Sequence, residues 1–305
     1  MSNKVFSIKS ILQFSIISLS LSFILVSGCA VAAKNADEGS SEKSTEVKVA
    51  ENKSSSADLT KSSVSKGRIK FSSGSPADTV RIFYKNLRER RFKEAMMMTN
   101  LHFAVDELTE AEMQDLSSDF EPLAAQVPAD IEINGEIITN NLATVTAKLP
   151  DNETGQMELT KVELRREKDA WIIITADEKA EAAAKKEGKN YFFVLRMDIH
   201  HVEAQNMMQR IAKAQTIFAM QNGGLFADLA TLVSQGLLPE DINSTKSTGY
   251  RFSLAVGANS KKYIASAIPE VYGRSGKLSF VLEAEAADKQ ARLKSGDNKG
   301  QPIKK

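Results

Sequence analysis

Hydrophobic positions recur with a helical period over the stretch that follows residue 74. Ser75-Pro76 predicts the start of the first helix, because a serine side chain can cap free amides and proline is tolerated in the first turn. The apolar residues that follow at spacings of three and four are Val80, Phe83, Tyr84 and Leu87. A second short helix is predicted over Phe92 to Thr99. Thr109 and Glu112 form a capping box that predicts the start of a third helix.

Beyond residue 128 the pattern changes to a period of two, which predicts β-strands. Alternating isoleucines between residues 131 and 137 mark the first strand, with a bulge or a turn at Asn134-Gly135. Asn140-Asn141 predicts a hairpin turn into LATVTAKL, and two further strands follow in QMELTKVELRRE and AWIIIT. Helices followed by an antiparallel meander predict an α+β unit over residues 74–177.

The second half of the chain repeats this order after a charged stretch. EKAEAAAKKEGKN, residues 178–190, predicts a helical linker. A second α+β unit is predicted over residues 191–283, with one amphipathic helix and a short helix that contains Leu229, Leu232 and Val233 and ends at Gly236. Three short strands are predicted in YRFSLAV, KYIASAI and KLSFVLE. The apolar face of that helix comprises Ala204, Met207, Met208, Ile211, Gln215 and Phe218. Residues 284–305 are predicted to extend as a short helix and then to form a flexible tail.

The first residues have the composition of a targeting segment. Two lysines precede an apolar run that contains serines, which is typical of a secretory signal peptide over residues 1–28. LVSGC at its end resembles the bacterial lipobox. That resemblance implies cleavage between Gly28 and Cys29 and diacylation of the Cys29 thiol. The alternative is an ordinary signal peptide that is cut after Ala33.

A lipid on Cys29 would make the membrane the first partner of this protein. Two acyl chains anchor stably, because each buried methylene group contributes about 0.8 kcal/mol. Ala30, by analogy with enteric bacteria, favours the outer membrane over the inner one. Residues 29–73 are rich in Ser, Lys, Glu and Ala, so they are predicted to form a disordered tether. The expected location is therefore the cell envelope, on the side that faces the periplasm.

The charge balance and the single cysteine limit the remaining chemistry. The chain has 40 basic and 39 acidic residues, so its net charge of +1 gives no reason to expect nucleic acid as a partner. One cysteine excludes an internal disulfide and a cysteine-rich metal site. His200 and His201 are adjacent, so their rings face different sides of a helix or strand and do not predict a shared metal ion. Neither a metal nor a cofactor is expected.

The segment SPADTVRIFYKNLRERRFKEAMMMT, the third helix and a meander that ends in DAWII together carry a family resemblance. Over about residues 75–177 the chain resembles the nuclear transport factor two-like fold. More narrowly, it resembles small bacterial lipoprotein domains of unknown function. The resemblance implies a curved sheet that wraps around the helices as a cone, which in some members encloses an apolar ligand pocket and in others a catalytic one. The fold therefore does not identify the function.

Tyr84, His102 and Asp106 are the candidate residues for such a pocket. An isomerase or a dehydratase would need a general base and an oxyanion donor inside the cone. His102, however, is expected to cover the mouth of the cone, and the Tyr84 ring extends the predicted core. The sequence shows no Asp–His spacing that supports a dyad, and no catalytic residue is predicted.

RIAKAQTIFAMQNGG, STGYRFSL and KYIASAIPEVYGRSGKLSF carry a second resemblance. Over about residues 203–282 the chain resembles the globular part of type IV pilin-like and type II secretion pseudopilin-like proteins. It departs from them because pilins begin with a Gly-Phe junction and a long apolar helix, whereas here a polar linker precedes the helix. Gly273 and Gly276 are predicted turn glycines, and Arg274 at the loop tip is expected to contact an acidic partner.

These features predict a non-enzymatic, lipid-anchored envelope protein. Its expected role is that of a binding or scaffold module with an envelope protein as partner, near secretion or pilus machinery. Two alternatives stay open. One is a carrier that holds a small apolar ligand in the cone, and the other is a pocket isomerase or dehydratase.

Overall fold

The computed structural model describes residues 74–151, 154–286 and 291–304. The predicted signal peptide, the Gly28–Cys29 cleavage site and the tether lie outside these residues. The helices are α1 (Pro76–Arg88), α2 (Phe92–Met96), α3 (Glu110–Gln126), α4 (Glu178–Glu187), α5 (Tyr191–Gln221) and α6 (Leu229–Ser234). The strands are β1 (Glu132–Thr139), β2 (Leu142–Pro150), β3 (Met157–Glu167), β4 (Ala170–Ile173), β5 (Tyr250–Val256), β6 (Lys262–Pro269), β7 (Leu278–Glu285) and β8 (Arg292–Asp297). The predicted α+β class is confirmed.

The strands form two antiparallel sheets, each in sequence order: β1-β2-β3-β4 and β5-β6-β7-β8. In the first sheet the register shifts between Ile133 and Gly135, which confirms the predicted bulge. Residues Thr99 and Asn100 run along the outer edge of β4, since Asn100 N donates to Ile173 O at 2.9 Å. The described residues include no such cover for β1, which is the other edge of this sheet.

The predicted helix starts are confirmed by their caps. Ser75 Oγ accepts a hydrogen bond from Asp78 N at 3.2 Å, and Thr109 and Glu112 form the reciprocal capping box. Both devices satisfy amides that the first turn of a helix leaves unpaired. The apolar face of α1 then packs onto the first sheet, where Tyr84 is 5% exposed.

Two clusters of buried hydrophobic side chains result. The first core lies between helices α1–α3 and the first sheet, and its largest fully buried side chains are Leu87, Met96, Leu101, Leu116, Phe120, Leu149 and Leu164. The second core lies between α5, α6 and the second sheet, and its largest fully buried side chains are Met208, Ile211, Leu232, Tyr250 and Tyr263.

Helix α5 contributes to both cores. It is 31 residues long, and Tyr191, Phe192 and Phe193 at its start belong to the first core. Met208 and Ile211, four and five turns further on, belong to the second core. The predicted unit boundary at residue 190 therefore falls just before three aromatic residues that pack into the first core. The reason is physical, because a large buried aromatic surface is withdrawn from water wherever a partner face is available.

The segment predicted as a linker is helical, as expected, but it does not act as a spacer. In α4 the side chain of Ala184 is fully buried against the first core, and Glu181 is 7% exposed. Its charged residues thus conceal one buried face, which the mixed-charge composition did not indicate.

The predicted flexible tail is wrong over Arg292–Asp297. These residues form β8, which pairs along the whole length of β7 from Leu278↔Asp297 to Glu283↔Arg292. The strand is mostly polar, so its pairing depends on the backbone and on Leu293 at the margin of the second core. A strand that is held mainly by backbone hydrogen bonds leaves little trace in a hydrophobic pattern.

Among the residues described here, no helix combines the length and the apolar character that crossing a membrane requires.

Candidate functional sites and the junction between the two cores

Tyr84 lies inside the first core. Its ring meets Phe83 edge-to-face with centroids 5.0 Å apart, and burial raises the pKa of its hydroxyl. The cavity beside it, lined also by Leu87, Leu123 and Leu149, has a volume of about 10 Å³. Such a void is about the size of one water molecule. The structure therefore fills the interior around Tyr84 with side chains.

His102 and Asp106 lie in the connection after α2, away from that cavity. His102 stacks on Phe103 with centroids 3.8 Å apart, and its Nε2 is 3.8 Å from a carboxylate oxygen of Glu167. Asp106 is exposed, and only its backbone amide reaches His102, donating to the carbonyl oxygen at 3.0 Å. Among the described residues, no side-chain hydrogen bond or ring contact joins Tyr84 to His102 or Asp106. The three predicted pocket residues thus form no shared site.

A buried polar network stands near this connection, and the sequence did not reveal it. Asn100 is fully buried, and its Oδ1 accepts from Thr175 N at 3.0 Å and from Ala176 N at 3.2 Å. Its Nδ2 donates to Ala176 O at 2.8 Å and to Glu181 at 3.1 Å. The amide side chain therefore fixes the chain between β4 and α4.

Arg165 completes the network with two parallel hydrogen bonds to Glu181, each 2.8 Å long. This arrangement holds the pKa of Glu181 at about 2, with Lys185 and Asn100 as further donors. Bidentate pairs of this kind are geometrically specific. The partners are 16 residues apart on a strand and a helix, a separation with no recognisable sequence motif.

The junction between the two cores is built on Arg274, the residue predicted to contact an acidic partner. Its guanidinium lies 4.0 Å from the ring centroid of Phe193 and donates to Glu112 at 3.2 Å. The acidic partner is thus a residue of the same chain. Thr109 and Arg274 together lower the pKa of Glu112 to about 2. Lys189 lies 3.6 Å from the same carboxylate.

A second charged contact lies on the adjoining turn of α5. Arg196 donates to Asp119 at 2.7 Å and to Asp115 at 3.0 Å, both on α3. Burial raises the pKa of Asp119, and the Arg196 charge opposes that shift. These contacts fix the first turns of α5 against the first unit of the fold.

His200 and His201 hold the loop that carries Arg274. His200 Nδ1 donates to Ser275 O at 2.9 Å, while His201 Nε2 accepts from the amides of Lys277 and Leu278 at 3.0 and 3.3 Å. Burial lowers the pKa of both rings. The pair thus connects α5 to the loop before β7, and no cluster suited to a metal ion occurs in the described ranges.

Two glycines make this close packing possible. A side chain at Gly249 would meet the His200 ring at 2.3 Å, and one at Gly276 would meet the Tyr250 hydroxyl at 2.3 Å. Gly273 has φ +78° and is a turn glycine as predicted, whereas Gly276 is required for close approach.

An open cleft of about 740 Å³ lies between α2 and α3. Phe92, Leu108 and Met113 contribute apolar surface, and Arg90 pairs with Glu121 at 2.8 Å across the rim. Basic and acidic residues line it in equal number. The cleft therefore shows no charge preference for a ligand.

The comparisons with known proteins add little to this geometry. No family model matches the chain, and no curated protein matches it. A crystal structure from Campylobacter jejuni that carries the name NTF2-like transpeptidase, NTF2 standing for nuclear transport factor two, is similar to part of the chain. The identity is 18%, the match covers 33% of this chain and 97% of that chain, and the TM-score is 0.24. A similarity of that size supports no inference about the activity of this protein.

Proposed function

We propose that the protein is a non-enzymatic, lipid-anchored binding or scaffold module of the cell envelope, accessory to secretion or pilus machinery. The lipobox-like stretch that ends at Cys29 supports the anchor, and Ala30 favours the outer membrane. The assignments of a nuclear transport factor two-like cone and of a pilin-like second unit belong to this proposal. They rest on the sequence segments that resemble those families.

The sharing of α5 by both cores is the observation that carries the scaffold role. Phe193 in the first core and Ile211 in the second belong to one uninterrupted helix, and Arg274 ties the loop of the second sheet to Glu112. A module that positions partners needs surfaces at fixed separations. A shared rigid helix with side contacts provides such a separation without a catalytic group.

The filled interior favours surface binding over the two alternatives. The cavity beside Tyr84 has a volume of about 10 Å³, which is far below the roughly 300–1,000 Å³ that is typical of ligand pockets. The raised pKa of Tyr84 keeps its hydroxyl protonated, and His102 is held elsewhere by Phe103. A carrier or a pocket isomerase would need the first core to open.

Spin labels on the two sheets test the fixed separation. In a Cys29→Ser chain, labels at Lys161 and Arg251, both exposed, are expected to give one narrow distance distribution. Arg274→Ala should broaden it, whereas the exposed Ser118→Ala should leave it unchanged. A broad distribution in the chain with only the labels and the Cys29 substitution contradicts the scaffold role.

Native mass spectrometry of residues 30–305 from the periplasm of the natural host tests the alternatives. We expect the mass of the bare chain. A reproducible extra mass that is lost on mild activation would contradict the pure scaffold and favour the carrier. The intact mass of the mature, membrane-extracted protein separately reports whether Cys29 carries acyl chains.

A further inference from the structure

The end of the β1–β2 hairpin exposes aliphatic side chains on both of its faces. Ile137, Ile138 and Leu142, here called the hairpin tip, are 71%, 51% and 58% exposed. Leu142 and Ile137 point away from the first core, because Ile137 pairs with Thr144 and Leu142 lies two residues before it. Successive side chains of a strand alternate, so Ile138 points to the opposite face. A protein partner that docks on one sheet face would cover only one side, whereas a lipid interface surrounds an inserted tip.

The residues beside the hairpin tip suit the boundary between water and lipid. Arg166 N donates to Asn141 O at 2.7 Å, and the Arg166 guanidinium lies 6.0 Å from the centroid of the half-buried Trp171 ring. Tryptophan and arginine combine an apolar body with a polar end, which favours the headgroup region. Exposed Lys168 follows in the β3–β4 turn.

The carboxylates at this end of the sheet are mostly engaged within the fold. Glu136 accepts from Ala77 N at 2.8 Å, and Glu167 is paired with Arg165. Asp169, next to Lys168, is exposed, and Glu163 lies across Thr144 from Ile137 on the outer face. Arg166 and Lys168 therefore stand beside two carboxylates that would face an anionic surface.

The hairpin tip also lies near the point where the preceding chain joins the fold. The Ala77–Glu136 hydrogen bond places the start of α1 against β1, one residue before Ile137. Gly74 is three residues from Ala77, so chain geometry puts it at most about 25 Å from the tip. The described chain therefore begins with a helix whose first turn packs against β1 beside the hairpin tip.

We propose that the hairpin tip inserts into the lipid interface of the membrane that holds Cys29, an inference that rests on the proposed lipid anchor. Three aliphatic side chains bind a bilayer only weakly. The predicted tether over residues 29–73, however, would as a flexible chain keep Gly74 within a root-mean-square distance of about 35–40 Å of the membrane, and tethering makes a weak contact effective. Insertion fixes which side of the scaffold faces the bilayer.

Leu159 provides a matched control for the experiment. It is 63% exposed on the same outer face, but it pairs with Lys148 at the other end of the sheet, six residues along β2 from Leu142. That separation is about 20 Å at the rise of a strand. A bilayer that receives the hairpin tip would not reach Leu159.

The experiment uses the mature chain in vesicles of phosphatidylethanolamine and phosphatidylglycerol, with Leu142→Cys or Leu159→Cys labelled by an environment-sensitive fluorophore. We expect a blue shift and quenching by lipid-attached quenchers at position 142 and neither at position 159. Equal responses at the two positions would overturn the proposal. So would a blue shift at 142 that appears without vesicles and grows with protein concentration, since that result identifies a second copy as the occupant.

A parallel measurement separates this inference from the anchor. The Cys29→Ser chain is attached through an N-terminal histidine tag to nickel-chelating lipids, so the tip is tested even if Cys29 proves unlipidated. In free Cys29→Ser chains, Ile137→Ser with Leu142→Ser should weaken vesicle binding by about a hundredfold, because each aliphatic side chain buried is worth about one power of ten. Leu159→Ser should leave binding unchanged. Unchanged binding in the double variant would overturn the proposal.

Discussion

The two cores satisfy their buried polar groups by different chemistry. Around the first core, Asn100 is joined to the ion pair of Glu181 and Arg165. In the second core, the polar contacts are neutral: Gln215 exchanges two hydrogen bonds with the backbone of Ala227, and the Tyr250 hydroxyl donates to Leu278 O at 2.7 Å. The difference teaches that one chain can hold one core through an ion pair and the other through neutral groups, so that acid acts on the two regions at different pH.

Asn100→Ala should produce the largest effect. It removes the acceptor of two amides and the donor of two further hydrogen bonds at a fully buried position. Leaving buried groups unpaired costs 1–3 kcal/mol each, so we expect about 3 kcal/mol of lost stability in the first region. Urea unfolding that is monitored through the amide exchange of β4 measures this loss of stability. Ser118→Ala, on the exposed face of α3, should change stability by about 0.5 kcal/mol or less. If Asn100→Ala loses no more stability than Ser118→Ala, that result would contradict the role of the network.

Gln215→Leu should have the next largest effect and should act on the second region. The side chain is fully buried, and its loss leaves Ala227 N–H and C=O without partners. We expect about 2 kcal/mol. The matched control is Gln209→Leu on the exposed side of the same helix. If the two substitutions cost the same, then helix propensity rather than the hydrogen bonds explains the effect.

Mild acid should loosen the second region before the first. The pKa of His201 lies below its ordinary 6.5 in the folded chain, so the unfolded chain binds more protons and stability falls as pH drops through and below that value. Once protonated, Nε2 can no longer accept hydrogen bonds from the amides of Lys277 and Leu278, and its own N–H would point at theirs. Groups that face the ring include Asp198, which favours the proton, and His200 and Lys277, which oppose it. The protection factors of the amides of residues 277–278, which correct for the slower intrinsic exchange at lower pH, should therefore fall severalfold between pH 7 and 5. His201→Gln, whose neutral oxygen can still accept, should reduce this dependence to the part that His200 contributes through Ser275.

Stronger acid should reach the first region. The pKa of Glu181 is held at about 2 against an ordinary 4.5, so its contribution is present above pH 4.5 and is lost as pH falls towards 2. Thermal unfolding of the first region should thus be insensitive to pH between 7 and 5. Loss of stability there, at the same pH as in the second region, would remove the contrast between the two.

Arg274→Ala should have the smallest effect on stability. The Arg274 side chain is 39% exposed, so its pairing with Glu112 is screened by solvent, and stacking on Phe193 supplies the rest. We expect about 1 kcal/mol or less. Arg274→Lys should restore part of the charge contact but not the planar stacking. A calorimetric midpoint that is equal for the three chains would show that α5 alone holds the junction.

Much of the fold could be predicted locally, and its failures share a cause. The caps at Ser75 and Thr109 and the bulge before Gly135 each depend on a few adjacent residues, and all three were predicted. Strand β8 and the buried face of α4 depend on partners far along the chain. Their own patterns are polar, so nothing in a short window reports the burial.

The candidate residues follow the same division. Tyr84 belonged to a clear apolar stripe, and its place in the core followed from that stripe. The sequence offered His102 and Asp106 as companions only because a cone was expected, and the structure does not bring them to Tyr84. The partners of Asn100, by contrast, lie 75 and 81 residues away, beyond any motif.

By itself the sequence determined the helices, most of the strands and the α+β class, since each arises from neighbouring side chains and their periodicity. Only the tertiary structure decided that α5 serves two cores, that Arg274 meets Glu112 162 residues away, and that the interior beside Tyr84 is closed. These outcomes depend on which surfaces meet after the chain folds. Burial and charge pairing are properties of contacts, and a local pattern states only that a face is available for them.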